Sequence, residues 1–280
     1  MVMAVFPLYR DFFRFLEGIE TDGDPWEAYW DVYIRPHMEF FKAYWTAYLP
    51  HIDVKTLQDR VRRVRRGHYA VLEHLIATSD LDRKAAGAIE RCSRLLDLDP
   101  LPDAYLMVGF FSADGFTVAL QGQPAIGIGL ERYRDVGLLD IILAHEYCHC
   151  ARYRALEEDR LDTSRRLDWK LFSEGLSVFF SRRVFPHRPL WDHLLMSRQR
   201  LNWCQENETK MLSLIRDRLS SSQFISVFFG PDGFTAGVPP RAGMFLGYRL
   251  VEKLIEERGE EAFESLLAFS DVSAVWPEGD

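Results

Sequence analysis

The side chains best suited to chemistry in this sequence stand together at His145-Glu146-Tyr147-Cys148-His149, an H-E-x-x-H string. On a helix, four residues turn the chain by about 400°, so the two imidazoles emerge about 40° apart and one turn along the axis, able to grip one metal ion. Glu146 projects beside them, where a carboxylate can take a proton from a water whose pKa a catalytic zinc lowers to roughly 7. Such a string arises by chance in on the order of one chain of this composition in a hundred, so its surroundings must carry the argument. A catalytic zinc needs a third protein ligand and a fourth position left open. Glu174, in Ser173-Glu174-Gly175-Leu176, lies between Leu171 and Val178 on the apolar face of the next helix. A buried carboxylate wants a partner, and coordination supplies one. Two imidazoles and a carboxylate suit zinc well.

These groups need rigid carriers. From Asp135, a plausible N-cap, the residues Leu138, Ile141, Ile142, His145, His149 and Arg152 trace one side of a helix at 3.6-residue spacing. A second helix is expected over about Asp168 to Phe185, stopped by Pro186. Ahead of both, Ala104 to Phe111, the turn residues Ala113-Asp114-Gly115, then FTVALQG and PAIGIGLE read as a small β region with at least one hairpin. A late helix over Phe245 to Arg258 ends at Gly259, and a short closing helix covers Glu260 to Phe269. Gly230 to Gly243 reads as a loop. Residues 1–100 look helical, with Trp26, Tyr29, Trp30, Tyr33, Phe40, Phe41 and Tyr44 recurring at steps of three and four as a packing stripe. The expectation is an α+β, predominantly helical protein, with an N-terminal helical subdomain over 1–100 and the chemistry-bearing domain over 101–280.

HEYCH, SEGLSVFF, an apolar hairpin before the first helix and a late FLGYRLVEKL helix together resemble the gluzincin metallopeptidases, which include thermolysin and the zinc aminopeptidases. Within them they look most like a bacterial family of predicted zinc-dependent proteases. The resemblance covers Tyr105 to Phe185 and Arg241 to Phe269, leaving the first hundred residues aside. It implies a zincin-like fold with a small sheet beside the zinc-binding helix and one Zn2+ on His145, His149 and Glu174. It also implies Glu146 as general base and proton shuttle in the hydrolysis of amide bonds in a peptide or protein substrate. Tyr248, after Gly247 at the head of the late helix, is the expected donor to the oxyanion, as related enzymes present a tyrosine there, with Arg241 a rival. In gluzincins an edge strand beside the zinc helix pairs with extended substrate, which would give Gly127, Ile128 and Gly129 a substrate-binding role.

This sequence departs from the family pattern at three places. Val178 stands where thermolysin-like enzymes carry an aspartate that orients a zinc histidine, so Asp140 or a backbone carbonyl is expected to hold that ring. Gly127-Ile128-Gly129-Leu130-Glu131 only faintly echoes the aminopeptidases' Gly-x-Met-Glu-Asn motif. The spacing from His149 to Glu174 also differs from both subfamilies, a change that an inter-helix loop absorbs.

Composition narrows the alternatives. With 48% hydrophobic and 27% charged residues, the 280-residue chain must bury a core. A net charge of -8 opposes general attraction to nucleic acid or anionic membrane. Arg60 to Arg66 keeps Val61, Val64 and His68 at helical spacing, which leaves its arginines on a solvated face. Four cysteines without a Cys-x-x-Cys pair fit a reducing, cytoplasmic setting, and Cys148 and Cys150 point about 200° apart and cannot share an ion. His187 and His193 follow the second helix and read more readily as structural. Two other readings stay open: a zincin-fold scaffold without catalysis, and a helical module in which HEYCH is accidental.

Overall fold

The computed structural model describes residues 3–19, 24–51, 53–111, 114–133, 135–156, 166–230 and 237–276. Ala113 of the expected turn and residues 231–236 of the expected loop lie outside them. The chain divides into two compact units, residues 1–146 and 147–280, and the division falls inside one helix. The expected boundary near residue 100 does not coincide with it.

In the first unit a four-stranded mixed sheet has the order β1 (Val5–Phe6), β2 (Ala104–Met107), β4 (Gln123–Gly129), β3 (Gly115–Leu120). β1 and β4 run parallel to β2, and β3 runs antiparallel to β4. The N-terminal helices belong with this sheet because their aromatics pack on it. From helices α1 (Leu8–Gly18) and α2 (Met38–Tyr48), Phe12 and Phe40 are buried. The Phe40 ring stacks on Tyr105 at 4.3 Å, and Tyr44 stacks on Phe116 at 4.5 Å. The buried Tyr33 hydroxyl donates to the Val108 carbonyl at 2.8 Å and accepts from the Val108 N–H at 2.9 Å. The hairpin turns at Gln121 and Gly122, both at positive φ, the requirement of a two-residue loop matched to strand twist. Gly115, the last residue of the expected turn, begins β3, and β2 and β3 are not paired to each other. Along the basic run, Val61 and Val64 are buried, while Arg62 reaches Asp59 at 3.8 Å and Arg66 pairs with Glu73 at 2.6 Å.

Helix α3 (Val136–Ala155) begins where the sequence places its cap: the Asp135 carboxylate accepts the Gly137 N–H at 2.8 Å. In the second unit, α4 (Leu167–Val184) crosses α5 (Ala242–Arg258) at a pair of glycines. A Cβ on Gly175 would stand 2.1 Å from the Gly247 carbonyl oxygen, and one on Gly247 would stand 1.9 Å from that of Leu171. Only hydrogen at both positions lets the two backbones approach this closely. α5 ends at Gly259, whose φ is +89°, and α6 (Ala262–Leu267) follows. Arg152, 2% exposed, closes α6 by donating to the carbonyls of Leu267 at 2.9 Å, Phe269 at 3.2 Å and Leu266 at 3.3 Å. Its guanidinium lies 4.5 Å over the Trp169 ring, and burial lowers its pKa to about 10. Shorter helices occupy Leu190–His193, Arg198–Glu206, Glu208–Ile215 and Ile225–Phe229. No helix among the described residues is long and apolar enough to cross a membrane.

Candidate metal centre

One ligand atom from each of His145, His149 and Glu174 lies within 4.8 Å of the other two, the spread a single ion can bridge. The pair of imidazoles follows from i, i+4 spacing on α3. Glu174 comes from α4, and its Oε1 stands 3.8 Å from His149 Nε2. His149 and Glu174 keep about 15% and 16% of their side chains exposed, so the site is partly open, whereas His145 is buried. The donor set of two imidazoles and one carboxylate fits Zn2+.

The other nitrogen of His149, Nδ1, faces the Ser173 hydroxyl at 3.4 Å, a long hydrogen bond. With Nδ1–H donating to that oxygen, Nε2 presents its lone pair toward Glu174 and the ion. Asp140, the expected orienting group, is engaged elsewhere: its carboxylate takes the Lys84 ammonium at 3.1 Å. One helical turn before Glu174, Lys170 donates to Glu174 Oε1 at 3.2 Å, with its ammonium 5.2 Å over the Phe229 ring. This cation balances the carboxylate's charge. Neither Ser173 nor Lys170 was singled out from sequence; the signal was their place, one and four residues ahead of the candidate ligand on the same helix.

Glu146 is 4% exposed. Its Oε2 accepts from the Thr117 hydroxyl at 3.1 Å, and a Cβ on Gly115 would stand 2.9 Å from its Oε1. β3 therefore lies against α3 at the position of the carboxylate, which places the sheet beside the helix as expected.

Tyr248 lies on α5. It is 2% exposed, its hydroxyl accepts from Arg182 and donates to Glu252, and burial holds its pKa well above the usual phenol value. Arg182 lies eight residues beyond Glu174 on α4, two turns and about 12 Å along the axis. This phenol packs in the interior and ties α5 to α4. Arg241, its rival, precedes α5 with φ at +69°. His193 is buried, its Nδ1 2.9 Å from the Ser181 hydroxyl, and burial lowers its pKa to about 4. His187 is exposed and packs edge-on against Phe185. Cys148 and Cys150 are buried and outside any disulfide.

Gly127, Ile128 and Gly129 do not lie on an edge strand. β4 is an interior strand, paired to β2 on one side and β3 on the other. Gly127 is required because a Cβ there would stand 2.2 Å from the Phe116 ring. Glu131, the last residue of the faint aminopeptidase echo, is structural: its Oε1 accepts the N–H groups of Gly109 at 2.7 Å and Phe111 at 2.8 Å. Phe110 and Phe111 hold consecutive positive φ angles in that turn, and burial raises the Glu131 pKa.

Two further comparisons return nothing: neither the curated proteins nor the solved structures include a match. A family model described as a predicted Zn-dependent protease (DUF2268) matches residues 116–272, more than half of the chain.

Proposed function

Because the chain belongs to the DUF2268 family of predicted Zn-dependent proteases, we propose that it hydrolyses peptide bonds with one zinc ion held by His145, His149 and Glu174, in a gluzincin-type arrangement. The observation that carries this reading is the convergence of those three donors with the Glu146 carboxylate one residue from the first of them. When bound, zinc supplies Lewis acidity, lowering the pKa of water to roughly 7 and polarising a carbonyl. The chain's own residues do the rest. Glu146 takes a proton from the attacking water and returns it to the departing amine nitrogen. Ser173 keeps the His149 ring in the tautomer that leaves Nε2 free to coordinate, and Lys170 keeps the Glu174 carboxylate in place.

An extended substrate would pair with β3, one of the sheet's two edge strands among the described residues and the one that lies against Glu146. The Ile126 N–H donates to Asp103 on the β2 side at 2.8 Å. By alternation Gly127 and Ala125 turn their main-chain groups to Phe116 and Val118, and Thr117 and Ala119 turn theirs outward. The Tyr48 hydroxyl already donates to the outward Thr117 carbonyl at 2.8 Å, so a peptide pairing there meets that contact. Four buried cysteines outside any disulfide support a reducing compartment such as the cytoplasm.

Cleavage of a mixed peptide library, followed by mass spectrometry before and after zinc chelation, tests the reading. Cleavage is expected to disappear with the metal and return on adding one equivalent of zinc. Unchanged cleavage in chelator, or no cleaved peptide from the zinc-loaded protein, would overturn it.

A further inference from the structure

Two residues of β3 build the seat of the Glu146 carboxylate. Side chains alternate along a strand, so Gly115 and Thr117 face the same side, and both meet Glu146 there. Thr117 is 8% exposed, and its hydroxyl stands 3.1 Å from Glu146 Oε2 and 3.3 Å from the Glu146 main-chain oxygen. It carries one proton, and an ionised carboxylate oxygen is the stronger acceptor. Threonine is stiff about χ1, so this donor is aimed before any substrate arrives. The second oxygen, Oε1, lies where a side chain at residue 115 would be. A Cβ there would stand 2.9 Å from Oε1, 3.0 Å from Glu146 Cγ and 2.7 Å from Ile142 Cγ1.

We infer that Thr117 and Gly115 are positioning residues for the general base: the hydroxyl pins one carboxylate oxygen and the missing side chain leaves room for the other. The inference rests on the reading of Glu146 as the base and deepens it. Glutamate has three side-chain torsions, and a carboxylate that swings by an ångström leaves the attack geometry, a displacement worth on the order of 10²-fold in rate. The two contacts remove that freedom from opposite sides. A hydroxyl present only to satisfy a buried carboxylate would contribute to folding alone, and the test separates the two roles.

Thr117→Val keeps the shape and removes the donor, Thr117→Ser restores it, and Gly115→Ala fills the space beside Oε1. With zinc content matched to wild type, Thr117→Val is expected to lower kcat by about 10- to 100-fold at nearly unchanged KM. Thr117→Ser should return kcat to within about threefold of wild type, and Gly115→Ala should lower it as Thr117→Val does. Crystal structures of the metal-free proteins give a readout independent of turnover: one Glu146 rotamer in wild type and Thr117→Ser, and a displaced or divided carboxylate in Thr117→Val and Gly115→Ala. An unchanged Glu146 rotamer in Thr117→Val, or loss of thermal stability with kcat retained, would overturn the inference. Should zinc-loaded wild type cleave no peptide, the proposed function fails while the rotamer comparison still judges Thr117 and Gly115.

Discussion

Glu146→Gln is expected to reduce peptide hydrolysis by about 10²- to 10⁴-fold, the range that a positioned general base contributes. The substitution preserves volume, and its amide oxygen still accepts from the Thr117 hydroxyl in place of Oε2. Folding and the three metal ligands are therefore spared, and zinc content should match wild type. What is lost is a lone pair basic enough to take a proton from water, and with it the acid that returns the proton to the leaving nitrogen. Single-turnover cleavage of a fluorogenic peptide, with metal content measured on the same preparations, checks both halves. Wild-type rates in Glu146→Gln would remove this carboxylate from the reaction.

Gly247→Ala carries the largest expected effect on folding. The added methyl carbon would lie 1.9 Å from the Leu171 carbonyl oxygen and 2.8 Å from its carbon. These are main-chain atoms inside α4, so no flexible side chain can yield. The helices must part by an ångström or more, which opens their shared contact along a buried seam that includes Leu171, Phe172, Leu246 and Leu250. Overpacking of a core costs about 1–3 kcal/mol, and a backbone collision belongs at the upper end or beyond it. For a protein of this size, about 3 kcal/mol corresponds to a fall in Tm of roughly 6–12 °C. Gly87→Ala is the contrast: it lies in the helix Leu81–Ser93 with nothing within 4 Å of a built Cβ. There the helix propensity of alanine should leave stability unchanged or raise it by up to about 1 kcal/mol, a rise in Tm of at most roughly 2–4 °C. Thermal unfolding followed by circular dichroism compares the two, and equal melting temperatures would refute the account of the crossing. Gly175, the partner glycine, adjoins Glu174, so separation of the helices also moves a metal ligand.

The parts of the site carried by one helix were legible in the sequence, because i, i+4 geometry is local. His145 and His149 share a face of α3, Asp135 caps it, and Gly259 ends α5, all from signals within a few residues. Glu174 was legible through its burial pattern, since a carboxylate on an apolar face needs a partner. The strand order was not, because period-2 patterning says which residues alternate and nothing of which strand lies between two others. β4 became an interior strand through its parallel pairing with β2, and Gly127 accommodates the Phe116 ring. The Tyr248 hydroxyl is engaged by Glu252, one turn further along α5, and by Arg182, which the crossing of α4 and α5 brings to it and which sequence spacing does not reveal. Thr117 and Gly115 carry no motif. Their meaning comes from the sheet lying on α3, a tertiary fact. The aromatic stripe of the first hundred residues was read correctly as a packing face, but its partner is the sheet, which joins those helices to the strands in one unit.

The central claim is that His145, His149 and Glu174 hold one zinc ion together. Metal analysis and zinc K-edge absorption spectroscopy on protein purified without chelator test it most directly, with Glu174→Ala and His149→Ala alongside. The account predicts one zinc per wild-type chain, bound by two imidazole nitrogens and carboxylate or water oxygens at about 2.0–2.2 Å, and zinc lost from both variants. Less than half an equivalent in wild type, or zinc bound as tightly after Glu174→Ala as before, would contradict it.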